Sequence, residues 1–143
     1  MVKKIISYIF IYILLVGCES PLVCEDCYLD INAPDLEMDG NGYYHMGFLD
    51  SYVQTFSTLE AKTGITSYNQ KIKWVSNKEI LISGYWTNLV NQSSYTDNDG
   101  KAYTVLGVWE NFIGDTIKVY SGYTDNCNIL HVDSLEVIIN NEQ

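Results

Sequence analysis

Cys24 and Cys27 stand at C-x-x-C spacing, and Cys127 stands four residues before His131. Together they offer four soft donors in the pattern of a structural Zn²⁺ site, a knuckle pair plus a Cys-x-x-x-His pair. An ion held this way would sit between the N-terminal segment and the body of the chain. A single C-x-x-C is a generic pattern, and the same sulfurs serve equally well as disulfide partners. Thiol redox catalysis at Cys24-Glu25-Asp26-Cys27 is disfavoured: the two acids raise a thiol pKa, and no helix N-terminus is evident to lower it.

Other chemistry is harder to place. In the acidic stretch Asp97-Asn98-Asp99-Gly100, an EF-hand register would need a ligand at Tyr95 and a bidentate glutamate at Leu106. Neither residue can serve, so the stretch reads as a polar turn, with a looser cation site on Asp97 and Asp99 as the alternative. The sequence contains no phosphate-binding loop, no H-E-x-x-H and no nucleophile elbow. His45 and His131 are the only histidines, and each is by default a hydrogen-bonded strand residue. No carboxylate pair stands out for glycoside hydrolysis. The expectation is a non-enzyme without a cofactor.

The elements that must position these residues are strands. After Asp39-Gly40-Asn41-Gly42, a strong turn signal, short apolar-alternating runs follow one another with turn clusters between them, and no helical period emerges. The runs are 43–49, 53–61, 70–75, 80–82, 102–109, 116–120 and 134–139. Ile72 and Trp74 alternate with Lys71 and Lys73; Ile117 and Val119 flank Lys118; Leu135, Val137 and Ile139 flank Glu136. About seven such strands predict an all-β chain, an antiparallel β-sandwich. Trp74, on the third run, is expected in its core rather than as an exposed platform for a sugar ring. Trp109 falls on the face opposite Leu106 and Val108.

The formal net charge of the 143-residue chain is -10, and every base is a lysine. A polyanion is repelled by nucleic acid, which excludes that class of partner. Met1-Val2-Lys3-Lys4 is a basic start, and Ile5 to Val16 is largely apolar. About twelve residues of helix span ~18 Å, too short for a hydrocarbon core of ~30 Å, so the segment reads as a signal-peptide h-region.

Leu15-Val16-Gly17-Cys18 resembles the bacterial lipobox. The resemblance implies cleavage after Gly17 and a diacylglycerol on the Cys18 thiol. It also implies a chain held at the cell envelope, in the outer membrane by the absence of aspartate at residue 19. Several acyl chains anchor stably at ~0.8 kcal/mol per buried methylene. Export places the remaining cysteines in an oxidising compartment. With Cys18 lipidated, three remain, so at most one internal bridge forms: Cys27 with Cys127 is the first choice, Cys24 with Cys27 its competitor. The longer bridge would close a loop of ~100 residues, worth up to ~4–5 kcal/mol in the chain-entropy model.

Thr96-Asp97-Asn98-Asp99-Gly100-Lys101-Ala102 resembles the T-D-x-x-G-x-A turn of bacterial immunoglobulin-like domains of the invasin/intimin type. The following Tyr103-Thr104-Val105-Leu106, then Gly114-Asp115-Thr116-Ile117-Lys118-Val119, and the closing Ser134-Leu135-Glu136-Val137-Ile138-Ile139 are similar to that family's later strands. Leu59-Glu60-Ala61 and Ile72-Lys73-Trp74-Val75-Ser76-Asn77 are similar to earlier ones. The family's Pro/Ala-rich turn before Gln70 is missing, and an aromatic Tyr43–Phe48 run replaces its usual opening. The resemblance implies an immunoglobulin-like sandwich with a spacer, adhesion or binding role, an envelope protein or a glycan being the class of ligand. The expected organisation is a signal peptide at 1–17, a lipidated tether at 18–41 and the sandwich at 42–143. Asp115-Thr116-Ile117 and Asp133-Ser134-Leu135 also resemble a short O-glycosylation motif of some exported bacterial proteins. Their place at strand starts leads one to expect both hydroxyls buried.

Overall fold

A computed structural model describes residues 27–48, 54–64, 69–78, 80–82, 85–87 and 92–141, with 80–82 and 85–87 as backbone. The signal segment 1–17, Cys18 and Cys24 lie outside the described residues.

The chain is all-β and forms two sheets. Its strands are β1 (Leu29–Asn32), β2 (Glu37–Met38), β3 (Tyr44–Phe48), β4 (Gln54–Thr63), β5 (Lys71–Ser76), β6 (Ile80–Ile82), β7 (Tyr85–Thr87), β8 (Gln92–Tyr95), β9 (Lys101–Trp109), β10 (Thr116–Thr124) and β11 (Leu130–Asn141). A single 3₁₀ turn, Glu110–Phe112, links β9 to β10. One sheet has the order β1-β4-β9-β6-β7 and the other β2-β3-β11-β10-β5-β8. All neighbours are antiparallel except β3 and β11, which run parallel with Tyr44 opposite Val137. The described strands outnumber the seven runs because β1, β2, β7 and β8 are short segments at or near sheet edges, where a two-residue period has little length to show itself.

The alternation read from the sequence holds. Ile72, Trp74, Ile117, Val119, Leu135, Val137 and Ile139 are buried and form one core with Leu59, Leu106, Val108, Met46 and Phe48. Lys71 and Lys73 point outward. Trp74 is fully buried, and its indole N–H donates to Ser94 Oγ at 2.9 Å, which removes the cost of burying that donor. Trp109 is half-buried. Ile31 and Ala33, inside the stretch read as tether, also join this core. Thr116 and Ser134 are exposed, contrary to the expectation of burial: they lie on the outward phase of β10 and β11, opposite to Ile117 and Leu135.

Where the two sheets meet at β1, carboxylates replace missing ladder bonds. Asp133 Oδ2 accepts the Ile31 N–H at 2.9 Å, and Asp35 Oδ2 accepts the Thr58 N–H at 3.0 Å. Three turns share one construction. Asp39, Asp97 and Asp125 each accept, through Oδ1, the N–H groups two and four residues on. Each also accepts the N–H of the third residue on its own carbonyl, and that residue is left-handed in every copy: Gly42, Gly100 and Asn128, at φ 89°, 74° and 61°. This is a type I turn closed by a left-handed residue, the arrangement of three-residue hairpin loops.

Candidate metal centre and binding groove

The Asp125 turn joins β10 to β11 and carries more than a turn needs. Asp125 is buried, and its second oxygen meets His131 Nε2 at 2.8 Å. That bond, above all, holds the Asp125 carboxyl below the ordinary carboxylate range; burial opposes the shift, and the Ile129 and Cys127 N–H groups add to it. The His131 ring stacks on Tyr123, with centroids 5.0 Å apart. Tyr123 in turn donates its hydroxyl to the Tyr28 carbonyl at 3.2 Å, beside Cys27. The Cys27 sulfur, an Asp125 carboxylate oxygen and a His131 ring nitrogen consequently lie within 4.8 Å of one another. Among the described residues, no other three metal-ligating side chains converge in this way.

Two of the four residues in the zinc pattern, Cys27 and His131, are thus brought together. Cys127 is not in the group: it sits exposed on the turn, its N–H bound to Asp125 Oδ1, and the structure shows no bond between its sulfur and that of Cys27. Asp125 takes the place that spacing gave to Cys127. Counting cysteines and histidines could not find it, although an aspartate six residues before a histidine recurs at Asp39 and His45, which pair at 3.2 Å. Among the described residues the second pair has no sulfur beside it, and its histidine is engaged at Nδ1 by Asn140 at 2.8 Å. The Asp97–Gly100 stretch forms the polar turn expected of it.

On the outer face of the six-stranded sheet lies a groove of 370 Å³. Its floor is Gly122, where a side chain is missing; a Cβ there would sit 3.3 Å from the His131 carbonyl. Tyr120, Val75, Leu130 and Val132 supply apolar walls, and Lys71 and Lys73 the cationic rim. Leu130 and Val132 are 65% and 60% exposed, unusual for branched aliphatics on a strand. Lys78, Lys101 and Lys118 each pair with a carboxylate, whereas Lys71 and Lys73 form no ion pair among the described residues. On the other sheet, Phe56 and Tyr103 are exposed on one face, and Trp109, half-buried, lies on that face near Phe56.

No family model matches the chain, and no similar curated protein is found. Among solved structures, the chain is similar to that of a family 123 glycoside hydrolase from Clostridium perfringens, studied for glycolipid glycan hydrolysis, at 10% identity and a TM-score of 0.42. The match covers 82% of this chain and 27% of that one, so the chain spans about a quarter of its length. A likeness this low carries no argument about activity.

Proposed function

We propose that the chain is an exported lipoprotein, anchored through Cys18 in the outer membrane, whose immunoglobulin-like domain is a non-catalytic binding or structural module of the envelope. The strand order carries the reading of the domain. With β1, β4, β5, β6, β9, β10 and β11 taken as strands A, B, C, D, E, F and G, one sheet reads A-B-E-D and the other G-F-C, the partition of immunoglobulin-like sandwiches. The buried Trp74 then occupies the core position of strand C. The chain departs from the pattern by visiting the D position before β8, the strand beside C.

The anchor is tested by fractionation. In bacteria fed a palmitate analogue, the protein is expected to label and sediment with membranes, while Cys18→Ser remains unlabelled. Equal labelling of the variant, or an unlabelled soluble wild type, contradicts the proposal.

A second reading, a carbohydrate-binding lipoprotein, is favoured by the groove. A tyrosine ring, aliphatic walls and two lysines with no ion pair among the described residues suit a sugar ring bearing a carboxylate. Lys73→Glu is expected to weaken binding to an acidic polysaccharide at least tenfold. Unchanged retention would remove this reading and leave the first intact.

A further inference from the structure

We infer that Cys27, Asp125 and His131 form a site for one thiophilic divalent cation, zinc by the chemistry of its donors. The ion would tie the segment entering the domain to the β10–β11 hairpin. The inference stands on the geometry of these three side chains and is independent of the lipid anchor and of the groove. A tetrahedral zinc, with bonds of ~2.0–2.3 Å, holds its ligand atoms ~3.3–3.6 Å apart. The three atoms here lie within 4.8 Å, so the widest pair must close by up to about 1 Å, while the Asp125–His131 pair, hydrogen-bonded at 2.8 Å, must open by about 0.5 Å as the ion replaces the proton between them. Cys27 is half-buried and precedes β1, where the chain can make that adjustment.

The donors are one sulfur, one imidazole nitrogen and one carboxylate oxygen. Calcium and magnesium take oxygen ligands, so the sulfur and nitrogen select a borderline-soft ion. Two of the ligands are positioned before any ion arrives. Asp125 is fixed by two backbone N–H groups, and His131 by its stack on Tyr123. The hydroxyl of the same Tyr123 reaches the carbonyl of Tyr28, next to Cys27, so one short network sets the placement of all three. A thiolate and a carboxylate balance a divalent charge. Binding therefore displaces the thiol proton and leaves no net charge in a partly buried site. Three ligands from the described residues leave one tetrahedral position to be filled.

The molecule contains its own control. Asp39 and His45 repeat the turn and the acid–imidazole pair, with no thiol beside them among the described residues. The test uses the full chain extracted in detergent, reduced, and titrated with Zn²⁺ alone. One equivalent is expected to be retained through dialysis, and Co²⁺ in its place is expected to give a thiolate-to-metal charge-transfer band. Cys27→Ser and His131→Gln should each weaken zinc binding at least tenfold and abolish the band, with far-ultraviolet circular dichroism unchanged. Cys127→Ser and His45→Gln should bind as the wild type does. No retained metal in the reduced protein, retention undiminished in Cys27→Ser, or loss in Cys127→Ser would overturn the assignment.

Discussion

At the scale of single residues, two side chains with no solvent exposure behave differently. Trp74 fills the space between the sheets and satisfies its one donor with Ser94. Truncation to alanine leaves a cavity and is expected to cost about 3–5 kcal/mol in urea unfolding. Ser94→Ala, which strands only the indole N–H, is expected to cost about 1–3 kcal/mol. Asp125 instead holds a turn and a histidine. Its carboxyl and that of Asp39 are both depressed in the folded protein, chiefly by His131 in the first case and by the Tyr43 N–H in the second. A depressed carboxyl contributes stability that is fully present above the unfolded pKa of about 3.9 and is lost as pH falls through the lower folded value. Unfolding midpoints measured on descending through that range should therefore fall less steeply in Asp125→Asn than in the wild type. Trp74 was legible because lysines alternate with it on a strand. Of the Asp125 group, ligand spacing pointed to Cys27 and His131 but not to Asp125, which is placed by a local turn that neither periodicity nor cysteine and histidine spacing encodes.

At the scale of elements, hydrogen-bonded turns decide the register. The turns at Asp39 and Asp97 could be read from their glycines, whereas the third uses Asn128 at the left-handed position and hid within a stretch that gave no strand signal. The shared geometry makes a paired prediction. Gly100→Ala places a Cβ at φ 74° and is expected to destabilise by about 1 kcal/mol, while Asn128→Gly is expected to be neutral within about 0.5 kcal/mol. Equal losses in the two variants, measured by thermal unfolding, would show that the turns are not equivalent. β4 and β9 were legible nearly to their ends, whereas β10 continues past the run at 116–120 to Thr124 and β11 starts at Leu130, before the run at 134–139. An edge strand near Tyr28–Ile31 could be read within the stretch taken as tether, but the acids and prolines around it hid that Ile31 and the Asp133 bond make it part of the sandwich. β8 was masked because its Gln92-Ser93-Ser94-Tyr95 has no apolar alternation, although it supplies the partner of Trp74.

At the scale of the whole molecule, an acidic, two-sheet domain has a groove rimmed by Lys71 and Lys73 on one face and a thiol, an acid and an imidazole gathered at one end. The all-β architecture followed from strand patterning. The sites did not, because each depends on which strands become neighbours. The proposed anchor makes these features surfaces of a tethered module rather than of a diffusing one. It is tested most directly by the mass of the N-terminal peptide of the protein extracted from membranes. A chain beginning at Cys18 with a diacylglycerol thioether on its sulfur is expected. A chain beginning at Met1, with Cys18 unmodified, would contradict it.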